Sequence, residues 1–387
     1  MKKILEDIRV MDLTHAWFGP YCTMLLAELG AEVIKIEPPW GSLGRMGPGA
    51  MVQGASVSFY ALNINKKDIT INLKEPKGLE IFKKLVPLSD VVIQNFRPGV
   101  MERLGLGYDV LKSLNPRIIY AALSGFGQTG PYSPRASFAG VAQAISGYAR
   151  QVGDQIDPEG PPLGMGGAIG DLVPALFTAL SIIAAIRYRD KTGKGQMIDS
   201  AQADDMTHFN TVAILGYSLT GLLPWEMRRK YTVPGRISGH IRVKNGWIQV
   251  SGFRPRGIES LKKMLGLEEL TREDVVKFVA GKTRWDAVKI LADMGIAVGP
   301  VYSAKEVVDD PHLIARDMFV EIEHPKAGKM TVTNFPVKFS ESAAEITSPP
   351  PLMGQHNKEV LMDLLGYSEE QVEQLEKEGV ISTERTN

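Results

Sequence analysis

Short apolar runs alternate with longer amphipathic ones through the first half of the chain, and that rhythm predicts strands and helices taking turns. Residues 8–13, 32–36, 68–73, 90–94 and 117–123 read as strands, and residues 21–29, 76–88 and 100–114 as helices. Pro20 stands where its fixed φ is pre-organised for a first helical turn, and Gly30 closes that helix. Strands and helices alternating at this spacing predict an α/β fold, with a parallel sheet covered on both faces. A long loop, 37–58, interrupts the rhythm.

The pattern changes after Ser200. Residues 201–221 read as helical, whereas 224–234 carry several charges and few periodic apolar positions, as a linker would. Two alternating runs, 240–244 and 247–250, flank Asn245-Gly246, the strongest short signal for a hairpin. Helices over 258–265, 271–280 and 284–294 complete a smaller α+β domain. Past Pro311 come a second linker-like stretch, strand-like segments near 330–339, the cluster Pro349-Pro350-Pro351, and short helices over 357–365 and 368–379. The expected division is a large domain over 1–200, a linker over 201–234, a small domain over 235–312 and a C-terminal segment over 313–387. At 387 residues the chain is long enough for two cores.

Composition narrows the function. Lys plus Arg and Asp plus Glu both number 44, so the basic excess of a nucleic-acid binder is absent. Cys22 is the single cysteine, which rules out an intrachain disulfide and makes a reducing, cytoplasmic setting the default. Acidic Glu6 and Asp7 arrive before any signal-type apolar core. The most apolar run, 172–186, is shorter than the ~20 residues of a membrane span and contains Pro174. A soluble protein without a membrane partner is expected.

The most informative residue is Asp171, between the loop Gly166-Gly167-Ala168-Ile169-Gly170 and that apolar run. Helix N-terminal N–H groups there favour developing negative charge, and Gly170 leaves room for another molecule to come close. Asp171 could equally be an N-cap, a role that aspartate often fills. Gly125-Phe126-Gly127-Gln128-Thr129-Gly130 matches the dinucleotide fingerprint literally. Pro131 and Pro134 fall where the phosphate-binding helix should start, however, and the preceding strand comes late in the sheet, so it reads as a loop beside a ligand. The six histidines show no metal-site spacing, so no metal is expected; His15 alone follows the first strand, in the crevice zone of an open sheet. Arg45, Arg97, Arg103 and Arg135 fall in loops or helix starts at the same edge, where guanidinium forks suit a polyphosphate.

Taken together, these segments resemble the family III CoA-transferases, typified by formyl-CoA and carnitine CoA-transferases and related to the α-methylacyl-CoA racemases. The marks are Val10-Met11-Asp12-Leu13-Thr14-His15 with Gly19-Pro20, Gly30 to Glu37, Asn95-Phe96-Arg97-Pro98-Gly99, Leu123 to Gly127, the Gly170-Asp171 step and Thr192 to Gln196. Gly299-Pro300-Val301, Asp310-Pro311-His312 and Pro351 to His356 extend them almost to the C-terminus. The resemblance implies a Rossmann-like large domain, a ring-shaped chain whose C-terminal segment returns to it, and an interlocked homodimer. It implies that Asp171 is a nucleophile, passing through aspartyl-acyl anhydride and aspartyl-CoA thioester. Coenzyme A and a small carboxylic acid are then substrates, with no tightly bound cofactor. The implied CoA contacts are His15, Ala16 and Trp17, then Ile71 to Lys74, Asn95, Phe96, Arg97, Arg103, and Arg135 to Phe138. Where the formyl-CoA type has an arginine this chain has Pro38, which leaves the nucleotide end to Arg45; the lid-like run of glycines is also missing around 251–257. The alternative is a racemase-type acyl-CoA epimerase, but Phe138 stands where racemases carry a histidine and cannot move a proton. On the acid side, His15, Trp17 and Phe18 with Arg236, Arg254 and Arg256 favour a dicarboxylate such as succinate.

Overall fold

A computed structural model describes residues 3–47, 49–166, 168–231, 237–252 and 255–384. Gly167, Arg236 and Arg254, singled out above, lie outside the described residues, as does the end of the 224–234 stretch. The chain divides into two compact units, Met1–Ile214 with Asp317–Asn387, and Leu215–Arg316.

The first unit is built on six parallel strands: β1 (Arg9–Asp12), β2 (Glu32–Glu37), β3 (Lys66–Thr70), β4 (Val91–Gln94), β5 (Ile119–Ser124) and β6 (Met197–Ala201). Their spatial order is β3-β2-β1-β4-β5-β6. Strand order therefore reverses between β1 and β4, and a crevice opens beyond the carboxyl ends of those two strands. Every residue of β4 and β5 is buried, as expected of strands covered on both faces. Alternate side chains feed two cores. Met11, Ile34, Val92 and Tyr120 point into one, shared with Val360, Leu361, Val372 and Leu375 of the C-terminal segment, while Val10, Val33, Ile93 and Ala121 point into the other.

Helix α1 (Phe18–Glu28) follows β1 and packs on the second face against α4 (Ile169–Thr192). Between them in sequence lie α2 (Pro76–Leu85) and α3 (Ala139–Ile145), and α5 (Gln202–Phe209) follows β6. Helix α4 runs well beyond the expected 172–186. Over 24 residues, with a window of mean hydropathy 2.0, it is long and apolar enough to cross a membrane. Its Ala175, Ala179, Ile182 and Ile186 nevertheless lie in the core beneath β4 and β5, so its apolar character is that of a central helix.

The C-terminal segment closes the free edge of β3. The Gly354 N–H donates to Asp68 Oδ1 at 2.6 Å, His356 Nδ1 accepts from the Asp68 N–H at 3.0 Å, and Asn357 Oδ1 accepts from Thr70 N–H at 2.9 Å. Such cover keeps an edge strand from pairing with other chains.

The second unit holds an antiparallel sheet of β7 (Ile237–Val243), β8 (Gly246–Gly252) and β9 (Ala297–Pro300). The hairpin expected at Asn245-Gly246 is present, with Gly246 opposite Val243. Strand β9 joins β8 and was not foreseen. Helices over Pro255–Leu265, Arg272–Val279 and Arg284–Asp293 cover the sheet around Ile241, Ile248, Leu261, Val275 and Leu291.

Several local expectations need correction. Residues 100–114 form two helices, Val100–Arg103 and Tyr108–Leu114, because Gly105 and Gly107 break the run. The linker-like stretch after residue 224 contains a helix, Pro224–Tyr231, started by its proline. The loop 37–58 carries a short helix, Leu43–Met46, and a two-residue hairpin pairing Met51–Val52 with Ala55–Ser56.

Candidate active site

A cavity of about 340 Å³ opens at the carboxyl edge of the six-stranded sheet. Each wall comes from a different strand end. His15, Ala16 and Phe18 follow β1; Asn95 to Pro98 follow β4; Leu123, Ser124 and Gly125 end β5; and Gln202 follows β6. Asp171 enters from the first turn of α4, and Arg135 to Phe138 complete the lining.

The turn after β1 is fixed from below by a buried polar cluster. Asp12 accepts from Thr14 Oγ1 at 2.5 Å, from Thr23 Oγ1 at 2.7 Å and from Lys66 Nζ at 3.1 Å, and Lys35 Nζ donates to the Thr14 carbonyl at 2.8 Å. Burial alone would raise the Asp12 carboxyl, but the Lys66 and Lys35 charges outweigh it and the net shift is downward. From the side, Asn95 Oδ1 accepts from the His15 N–H at 2.9 Å and its Nδ2 donates to the His15 carbonyl at 2.8 Å. Ala16 is held at φ 61°, a left-handed conformation costly for a residue with a Cβ. The His15 ring lies 5.8 Å from that of Phe96. Burial, then the Lys35 charge, lowers its pKa to about 4, so it is a neutral imidazole at physiological pH.

Asp171 is buried, with 8% of its surface exposed, yet it lines the cavity. It is not the N-cap of α4. That position belongs to Ala168, at φ 53°, and no side chain caps the helix. The Asp171 carboxylate instead accepts a very short hydrogen bond on Oδ1 from Gln202 Nε2. Burial raises its pKa to about 6, against the opposing effect of that bond. Gly170 serves a different purpose from the one expected of it. A Cβ there would lie 2.2 Å from the Ala139 carbonyl oxygen, so its bare backbone lets the start of α3 pack against α4 and leaves no opening for a ligand.

Gln202 was not anticipated. It is the first residue of α5 and is 5% exposed; Ser137 Oγ donates to its Oε1 at 3.0 Å, fixing which end of the amide faces Asp171. Ser137 is itself held because Gly125 has no side chain: a Cβ there would lie 2.1 Å from that of Ser137. Reading 197–201 as a sixth strand would have put residue 202 at the ligand edge.

Of the residues expected around CoA, the cavity gathers His15, Ala16, Asn95, Phe96, Arg97, Arg135 and Phe138 beside Asp171. Trp17 is half-buried next to them and does not line it. Arg103 is exposed, with Nη1 3.1 Å from the Cβ position of Gly99. Ile71 is buried in the core, and Lys74 is exposed with its ammonium 5.8 Å from the Trp40 ring centre. Arg45 is 5% exposed and already occupied: it contacts Glu37 at 3.1 Å, Asp68 at 3.5 Å and the Pro351 carbonyl at 3.2 Å, so its guanidinium is not free for a phosphate. The Gln128 N–H in the glycine loop is not free to donate to an anion either, since it donates to Asp199 Oδ2 at 3.0 Å. Among the described residues no group of three or more His, Cys, Asp or Glu is placed to hold a metal ion.

The profile of the family described as CoA-transferase family III matches residues 5–357. The chain is 33% identical to a formyl-CoA:oxalate CoA-transferase of Streptomyces coelicolor, over 98% of this chain and 99% of that one. It is equally 33% identical to a succinyl-CoA:glutarate CoA-transferase of Mus musculus, over 99% and 92%. Among solved structures, a CAIB/BAIF family protein from Brucella suis superposes with a TM-score of 0.82 at 28% identity, covering 94% of this chain and all of that one.

Proposed function

The chain belongs to CoA-transferase family III, an enzyme family that moves CoA between an acyl-CoA and an acid, and from that premise we propose that Asp171 is its nucleophile. The observation that carries this reading is the placement of one buried carboxylate in the cavity at the strand-order reversal, with Oδ1 held by Gln202. Among the described residues Oδ2 accepts no hydrogen bond, which leaves it to attack.

The proposed reaction runs through four nucleophilic attacks. Asp171 Oδ2 attacks the thioester carbonyl, a C–O bond forms, the C–S bond breaks, and CoA leaves as thiolate. The thiolate then attacks Cγ of the resulting anhydride, giving an aspartyl-CoA thioester and releasing the first acid. The acceptor carboxylate attacks that thioester, and the returning thiolate takes the new acyl group from Asp171. A pKa of about 6 suits this role: the carboxylate is ionised at neutral pH, and its partial desolvation keeps it reactive. A racemase would need a second proton carrier, and Phe138 at the cavity rim cannot supply one.

CoA itself is the substrate in this reading, with no tightly bound cofactor. Arg97 and Arg135, both exposed at the cavity, suit its phosphates. The acid is proposed to be a dicarboxylate, in keeping with the oxalate and glutarate in the names of the two relatives. Residues 1–200 form the CoA-binding domain and 235–312 the small domain of an interlocked cytoplasmic homodimer, in which 201–234 links them and 313–387 returns. Leu176, Leu180 and Ile183 support a partner copy, since they share one exposed face of α4.

Paired screening of acyl-CoA donors and acids by mass spectrometry tests the proposal. Transfer from succinyl-CoA to a dicarboxylate is expected, and Asp171→Asn abolishes it. Exclusive use of monocarboxylates overturns the substrate class, and an active Asp171→Asn overturns the mechanism.

A further inference from the structure

Which oxygen Gln202 holds has a consequence for the later steps. If Asp171 attacks through Oδ2, Oδ1 becomes the carbonyl oxygen of the aspartyl half of the anhydride, and then of the aspartyl-CoA thioester. When the CoA thiolate attacks Cγ, the C=O electron pair moves onto Oδ1. When the acceptor carboxylate attacks the thioester, the same atom takes the charge again. The first and last steps differ, because there the charge develops on the substrate's own carbonyl oxygen. We propose that Gln202 is a catalytic residue, the oxyanion donor that stabilises the two tetrahedral intermediates formed on the Asp171 side chain.

The geometry meets the requirements for such a donor. It is in place before reaction, because the amide already bonds Oδ1. It is oriented, because Ser137 Oγ donates to Oε1 at 3.0 Å and so turns Nε2 toward the aspartate. It is largely shielded from water, at 5% exposure, where a hydrogen bond to a developing charge counts most. Its backbone does not drift, since it begins α5 and the next N–H, of Ala203, donates to the Gly125 carbonyl at 3.0 Å. A neutral amide also suits a site that alternates between carboxylate and ester-like forms, because it donates to both.

This inference rests on Asp171 being the nucleophile, and its test separates the two. Enzyme is mixed with succinyl-CoA and no acceptor, quenched, and weighed intact, while a parallel sample with a thiol reagent follows release of free CoA. Cys22, the only cysteine, is fully buried and gives little background. The wild type forms an aspartyl-CoA adduct on Asp171. Gln202→Leu is expected to release thiol within a few-fold of the wild-type rate but to form the adduct on the order of 10²–10³-fold more slowly. An adduct rate within about threefold of wild type overturns the inference, as does an equal loss of both steps, which a merely structural role predicts. Should Gln202→Leu fail to fold, Ser137→Ala carries the test: its freed amide slows the adduct step selectively, and an unchanged ratio of the two rates contradicts the role. A wild type that never forms the adduct removes the nucleophile reading itself.

Discussion

Asn95 holds the backbone of His15 at both ends, accepting from its N–H at 2.9 Å and donating to its carbonyl at 2.8 Å. The end of β4 thereby sets the shape of the turn after β1, across the reversal in strand order. Asn95→Ala removes both bonds and is expected to cost about 1–3 kcal/mol of stability. Because Ala16 is held at φ 61° beside that clamp, the turn should also relax, and KM for the acyl-CoA should rise more than kcat falls. Denaturant unfolding and steady-state kinetics check the two effects.

Acidification should silence the enzyme before it unfolds it. As the proposed nucleophile, Asp171 would have to be ionised to attack, so kcat/KM is expected to fall with a single-proton slope as pH drops through about 6. The stability effect runs the other way. A carboxyl whose folded pKa lies above its ordinary 3.8 stabilises the fold most below that value, and loses this contribution as pH rises through about 6. Asp171→Asn removes the buried charge and keeps an oxygen for Gln202. It should therefore be inactive yet more stable than wild type by about 1–3 kcal/mol at neutral pH, with the advantage vanishing toward acid.

The strand-helix alternation, and with it the sheet edge where the cavity opens, were legible in the sequence because buried parallel strands are short, nearly uniform apolar runs. Asp171 stood out as a candidate because it joins a glycine loop to a long apolar helix, and the structure places it in the cavity lining. Its partner did not stand out. A lone glutamine at a helix start has no typical spacing, and Gln202 gains meaning only once β6 lies beside β5. Arg45 shows the opposite failure: a loop arginine at the correct edge looked free, but Glu37 and Asp68 converge on it from adjacent strands. Gly170 looked like space for a ligand, whereas that space belongs to Ala139.

Gly170→Ala should destabilise the protein by about 1–3 kcal/mol, since the new methyl group meets backbone that cannot rotate away. Activity should fall with it, because the first turn of α4 carries Asp171. Gly166→Ala is the control: a Cβ there meets nothing within 4 Å, and both melting temperature and kcat should stay close to wild type.

Arg45→Met leaves two buried carboxyls without their cation and is expected to cost about 3–5 kcal/mol. Burial and Glu37 push Asp68 well above the usual carboxylate range, whereas burial of Glu37 is outweighed by the charges of Arg45 and Lys35, and it lies below. A depressed carboxylate stabilises the fold above its unfolded pKa and loses that contribution on acidification. The gap between Arg45→Met and wild type should accordingly narrow as pH falls, as read by urea midpoints across pH.

The most direct measurement of the central claim follows oxygen from the acid to the enzyme. An acceptor dicarboxylate labelled with ¹⁸O in its carboxylates is turned over with succinyl-CoA, and the peptide containing Asp171 is weighed. If the acceptor attacks an aspartyl-CoA thioester at Cγ, one labelled oxygen remains on Asp171 when the new acyl-CoA departs. The expected result is a peptide heavier by one ¹⁸O, with no label elsewhere in the chain and none in Asp171→Asn. Transfer that proceeds at the normal rate while the Asp171 peptide stays unlabelled would contradict it.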